Sequence, residues 1–171
     1  MFDLFKRNKI GDTLCAPVNG KCIDITEVRH SVFSSKMMGD GFAVIPESNV
    51  ICAPCTGLLS MVFKTGHAFG ITTKDNKQIL VHIGIETVNL KGKGFKILKK
   101  PNGEVKAGEP IIEISKEEII YEGYDLTTMV IITSKSEDEF TKNKINQNVC
   151  IGDRIIKFKK RDETYETYET N

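Results

Sequence analysis

Apolar residues along this chain cluster in short runs of the length expected of strands, separated by turn formers. Gly41-Phe42-Ala43-Val44-Ile45-Pro46, Gln78-Ile79-Leu80-Val81-His82-Ile83, Pro110-Ile111-Ile112-Glu113-Ile114 and Met129-Val130-Ile131-Ile132-Thr133 are rich in β-favouring side chains. Gly and Pro punctuate the chain about every 8–12 residues, the rhythm of short strands joined by tight connections. The pattern predicts an all-β fold, an antiparallel β-sandwich or barrel with one or two short helical turns. Those turns are expected at Ser115-Lys116-Glu117-Glu118, a capping-box pattern, and where Ser136 precedes Glu137-Asp138-Glu139-Phe140.

The pattern also repeats. Leu14-Cys15-Ala16-Pro17-Val18-Asn19-Gly20 returns as Ile51-Cys52-Ala53-Pro54-Cys55-Thr56-Gly57. Val105-Lys106-Ala107-Gly108-Glu109-Pro110-Ile111-Ile112 returns as Val149-Cys150-Ile151-Gly152-Asp153-Arg154-Ile155-Ile156. Two such pairs predict a β unit duplicated inside one domain. That domain is expected over 13–160, between a flexible N-terminal segment (1–12) and a disordered polar tail (161–171) built on a Glu-Thr-Tyr triplet.

Composition narrows the function. Among 171 residues, Lys+Arg number 24 and Asp+Glu 23, so no basic field favours nucleic acid. No apolar run approaches the roughly 18 residues of a transmembrane helix, and the N-terminus lacks a signal-peptide core. A cytoplasmic location is expected, with Cys15, Cys22, Cys52, Cys55 and Cys150 as reduced thiols. Cys52-Ala53-Pro54-Cys55 lacks a following helix to lower a thiol pKa, and its repeat partner has one cysteine fewer, so it reads as structural. Phosphate-binding and nucleophile-elbow motifs are missing.

Three histidines remain. His30 follows Glu27-Val28-Arg29 and reads as a solvated surface residue. His67 lies in Thr65-Gly66-His67-Ala68-Phe69-Gly70, and His82 in Leu80-Val81-His82-Ile83-Gly84. An imidazole inside an apolar strand costs desolvation unless a partner is supplied. The residues alone leave a functional pair and a satisfied core histidine equally open. A pair would suit phosphoryl transfer, or zinc chemistry if a third ligand were added.

The segment from Leu80 through His82-Ile83-Gly84-Ile85-Glu86-Thr87-Val88 to Gly92-Lys93-Gly94-Phe95 closely resembles the active-site signature of the glucose-type enzyme IIA family. That family belongs to the bacterial phosphoenolpyruvate-dependent sugar phosphotransferase system. Thr65-Gly66-His67-Ala68-Phe69-Gly70-Ile71 matches its second-histidine segment, and the likeness runs from about Leu14 to Phe158. The resemblance implies that His82 is the phosphorylated nucleophile. It implies that His67 hydrogen-bonds the phosphoryl group and assists transfer, and that Thr65 orients His67. Val32, Phe33, Met37, Met38, Phe63, Leu80, Glu86 and Val88 match positions around the family's active site and are expected to meet partners. Glu86 stands where the family usually has Asp.

The donor so implied is the histidine-containing phosphocarrier protein, and the acceptor a cysteine on the IIB domain of a sugar permease. The permease's spans are lacking here, so the chain reads as a free-standing carrier, with regulatory partners open. No cofactor is required, although a weak zinc site at His67 and His82 stays open. Three rival readings are a zinc metallopeptidase-like barrel, a biotinyl or lipoyl domain, and a regulatory binding module that does not transfer phosphate. The first expects a histidine two residues after His82, where Gly84 stands, and the second lacks its lysine hairpin.

Overall fold

The computed structural model describes residues 12–159, and the expectations for the N-terminal segment and the polar tail lie outside these residues apart from Asp12. The strands are Thr13–Cys15 (β1), Gly20–Asp24 (β2), Asp40–Pro46 (β3), Val50–Cys52 (β4), Gly57–Val62 (β5), Ala68–Thr72 (β6) and Gln78–Ile83 (β7). They continue with Phe95–Ile97 (β8), Glu104–Val105 (β9), Pro110–Ile114 (β10), Thr128–Ile132 (β11), Phe140–Lys142 (β12), Asn148–Val149 (β13) and Arg154–Phe158 (β14). Two short helices, Ser31–Ser34 (α1) and Lys116–Tyr121 (α2), and two 3₁₀ turns, Ile25–Glu27 and Thr87–Leu90, complete the described elements. The fold is all-β and every strand pairing is antiparallel.

The large sheet runs β13-β2-β3-β11-β7-β6-β5-β9. This order is a palindrome about the β11–β7 pair, with each half contributing equivalent strands on either side. Two three-stranded sheets, β1-β14-β12 and β4-β10-β8, are likewise equivalent. At the centre the repeated turns bond each other reciprocally. Cys15 N–H donates to the Pro54 carbonyl at 2.7 Å, and Cys52 N–H donates to that of Pro17 at 2.7 Å. Ala16 and Ala53 donate in the same way to Asp153 and Glu109, each at 2.8 Å. The sequence repeat is therefore a structural one.

Alternation along the central strand decides where the chemistry goes. On β7, Ile79, Val81 and Ile83 enter the main core, packed with residues such as Phe42, Phe69, Ile112 and Val130. Leu80 and His82 face the other way. On that face a smaller cluster of Ile23, Ile25, Val28, Phe33, Ala43, Met129 and Ile131 covers part of the sheet, with Leu80 packed against it. His82 thus lies mid-sheet in sequence pattern yet on its thinly covered side.

Some local expectations change. α2 forms, but Ser115 makes no side-chain cap; the helix starts with the Ile119 N–H on the Ser115 carbonyl at 3.0 Å. No helix forms at 136–140, where the chain is irregular up to β12. There the Ser136 hydroxyl accepts the Asp138 N–H at 3.1 Å, and the Asp138 carboxylate reaches buried Lys77 at 3.4 Å. These bonds replace helical ones, and no apolar face exists to favour a helix. All five cysteines are free, four of them buried and Cys150 exposed. Among the described residues no helix is long and apolar enough to cross a membrane.

Candidate functional site

His82 is held between two strands, paired with Ala68 of β6 and Met129 of β11. His67 immediately precedes β6, and its carbonyl accepts the Ile83 N–H at 2.7 Å. Adjacent antiparallel strands thereby bring the two imidazoles together, with ring centroids 5.2 Å apart and planes at 77°. Two glycines permit the arrangement. Gly66 has φ 71°, and a Cβ on it would come within 2.9 Å of Phe95 Cβ. Gly84 has φ 80°, and a Cβ there would overlap the Thr87 methyl group.

The turn at Gly84 aims its carbonyl back at the preceding histidine, where it accepts from His82 Nδ1 at 2.9 Å. A carbonyl can only accept, so Nδ1 carries the ring proton and Nε2 keeps its lone pair. Burial lowers the His82 pKa, the neighbouring His67 lowers it further, and the Gly84 bond opposes both. The outcome is a pKa of about 4, so the ring is neutral at physiological pH. Burial also lowers the pKa of His67, whose Nδ1 lies 2.5 Å from the Thr65 hydroxyl. Together these groups present a neutral nucleophilic nitrogen beside a second, oriented imidazole.

Two of the residues expected to meet partners touch the rings. Phe33 packs 5.2 Å from His82 and Phe63 lies 5.0 Å from His67. Met37, Met38, Phe63 and Val88 are exposed, and Val32 and Leu80 are half-buried. Phe33 is only 6% exposed, so it backs the His82 ring and offers partners little surface of its own. Glu86 is exposed and reaches His30 Nε2 at 3.6 Å. His30 itself departs from the expected solvated residue: its side chain is 29% exposed and packs 5.3 Å from Phe33. The signal lay in Ser31-Val32-Phe33, because His30 occupies the N-cap position of the short helix that carries Phe33 inward. A concavity of about 850 Å³ lined by Asp40, Lys135, Phe140 and Phe158, among others, contains neither His67 nor His82.

The zinc expectation gains no support. Among the described residues no three His, Cys, Asp or Glu side chains are grouped to hold a metal ion. Two imidazoles supply half of a tetrahedral set, and the Gly84 carbonyl already engages one nitrogen of His82.

Residues 12–138 match the family described as phosphoenolpyruvate-dependent sugar phosphotransferase system, EIIA 1. The glucose-specific EIIA component of Buchnera aphidicola (from Acyrthosiphon pisum) is 42% identical over 154 residues, covering 90% of this chain and 94% of that protein. The glucose-specific EIICBA component of Staphylococcus carnosus is 38% identical over 149 residues, and there the match spans 85% of this chain but 22% of the longer protein. Among solved structures, glucose permease IIA from Mycoplasma capricolum superposes with a TM-score of 0.79 at 34% identity, covering 84% of this chain and 93% of that one. With its duplicated antiparallel β fold and paired histidines, this chain belongs to the EIIA 1 family of the sugar phosphotransferase system.

Proposed function

We propose that this protein is a phosphocarrier that takes a phosphoryl group onto His82 Nε2 and passes it to a sugar permease. The observation that carries the reading is the bond from His82 Nδ1 to the Gly84 carbonyl on a ring with a pKa of about 4. It supports a neutral imidazole with one defined nucleophilic nitrogen. The donor is the histidine-containing phosphocarrier protein. Its N–P bond breaks as Nε2–P forms, through a loose in-line transition state with charge spread over three equatorial oxygens. Nδ1 keeps its proton, and the Gly84 carbonyl stabilises the positive charge that develops on the ring. In the second step Nε2–P breaks as a P–S bond forms to a cysteine thiolate on the IIB domain.

His67 assists both steps. In this reading the Thr65 hydroxyl, 2.5 Å from His67 Nδ1, donates to that nitrogen, and His67 keeps its proton on Nε2 to hydrogen-bond a phosphoryl oxygen. The exposed Met37, Met38, Phe63 and Val88 supply an adaptable apolar collar that suits more than one protein partner. Glu86, one methylene longer than the family's usual Asp, would adjust partner preference while His82 remains the nucleophile. The location is cytoplasmic, where phosphoenolpyruvate and the donor reside.

The test is incubation with phosphoenolpyruvate, enzyme I and the phosphocarrier protein, followed by mass spectrometry. One added phosphate, labile in acid and stable in alkali, is expected on the native protein and none on His82→Gln. Stoichiometric labelling of His82→Gln would overturn the assignment.

A further inference from the structure

His82 is held from two sides. Phe33, delivered by α1, packs on one side of the ring. The Gly84 carbonyl, delivered by the turn after β7, fixes its Nδ1. These two supports lie far apart in sequence, and no strand pairing joins α1 to that turn. What spans them is His30 and Glu86. His30 occupies the N-cap position of α1, and its carbonyl accepts the N–H groups of Phe33 at 3.1 Å and Ser34 at 2.9 Å. Glu86 lies two residues beyond Gly84 with φ 55°, a left-handed conformation that only the local fold sustains in a glutamate.

We propose that His30 is a positioning residue. By pairing with Glu86 across the mouth of the site, it ties α1 to the Gly84 turn, so that Phe33 and the Gly84 carbonyl close on the His82 ring together. The inference rests on the phosphocarrier reading for its kinetic consequence, but not for its structural one. Two further features set this pair apart from an ordinary surface contact. The His30 ring packs against Phe33 at a tilt of 54°, and Phe33 itself touches His82, so the contact continues to the nucleophile. His30 Nδ1 is buried without a hydrogen-bond partner, so Glu86 is the polar group that orients this ring. With both partners partly solvated, the pair adds little to global stability. Its effect is on geometry, where a misplaced nucleophile is slow.

The experiment compares His30→Ala, Glu86→Ala, the double variant and His30→Gln with the native protein. Two readouts are used: the rate of phosphoryl acceptance, and the nuclear magnetic resonance signal of the His82 Nδ1 proton in the unphosphorylated protein. Each alanine variant should slow acceptance by about 10- to 100-fold at unchanged melting temperature. The double variant should be no slower than the slower single one, and the Nδ1 proton should exchange faster in all three. His30→Gln, which retains a donor for the carboxylate, should recover most of the rate and protection. Losses that multiply in the double variant would mean that His30 and Glu86 act independently of each other, which overturns the proposal. So would an unchanged Nδ1 proton, or slowing that tracks a fall in melting temperature. The proton signal needs no transfer, so it decides the positioning role even if labelling of His82→Gln has overturned the phosphocarrier reading.

Discussion

Two groups of potential nucleophiles are shielded from water in this molecule, the core cysteines fully and His82 in part, and the same physics has opposite consequences for them. Cys22 and Cys55 lie in the main core, where burial pushes each thiol up to about 12. His82 lies on the thinly covered face, where burial and His67 push its pKa down to about 4. Burial disfavours the charged form in each case. For a cysteine the charged thiolate is the nucleophile, so burial silences it. For a histidine the neutral ring is the nucleophile, so burial arms it. The Cys52-Ala53-Pro54-Cys55 turn and the His67–His82 pair therefore both lose hydration and differ in what that loss does.

The largest expected effect is on the armed side. His82→Gln should abolish phosphate incorporation, whereas replacing any buried cysteine by alanine should leave incorporation stoichiometric in whatever fraction folds. Next comes a thiol-alkylation time course on native protein at pH 8. A shift from 9.0 to about 12 lowers the thiolate fraction of Cys22 and Cys55 by about a thousandfold. Exposed Cys150 should thus be modified long before either of them, as read by peptide mass. Rapid labelling of Cys55 would break the contrast.

His67→Gln should still accept phosphate but pass it on about 10² to 10³ times more slowly, the usual loss of one transition-state donor. Rapid-quench transfer to a IIB domain measures this. The smallest effect is on stability against pH. The folded pKa of His82, about 4, lies below its ordinary 6.5, so the unfolded chain takes up the proton first. Its neutral burial is harmless above pH 6.5 and costs progressively more stability as pH falls towards 4. The melting temperature of His82→Gln should consequently rise relative to the native protein across that window. A constant difference from pH 7 to pH 4.5 would count against the buried neutral ring.

Much of the fold is legible in the sequence. The Ala-Pro turns and the Val-x-x-Gly-acidic segments announced a duplication, and the reciprocal bonds of Cys15 with Pro54 and Cys52 with Pro17 are its physical form. The residues alone leave the two histidines open between a functional pair and core positions, because the contact of their rings, with centroids 5.2 Å apart, depends on the pairing of β6 with β7 and is not local. The Ser136 segment misled because acidic residues after a serine favour a helix only when a buried face rewards it; here Lys77 claims Asp138 instead. His30 misled for the converse reason. Its neighbours in sequence are charged, but its neighbours in space are Phe33 and Glu86, and a contact across the site mouth leaves no trace in local pattern.

The palindromic sheet also sets the order in which the molecule can assemble. In one half, Ile51 of β4 faces Ile112 of β10 and Leu58 of β5 faces Glu104 of β9, all within a single stretch of chain. In the other, Leu14 of β1 faces Ile156 of β14 and Gly20 of β2 faces Val149 of β13, so its two portions come from opposite ends. The interior half closes over short loops, while the outer half must wait until almost the whole described chain exists. A nascent polypeptide could pair β2 with β3 early, but β1 and the outer edges of that pair would lack β14, β13 and β11 for most of its synthesis. During that interval the Phe42 and Val44 strand is exposed to other chains, and this stretch is where misassociation on the ribosome would begin.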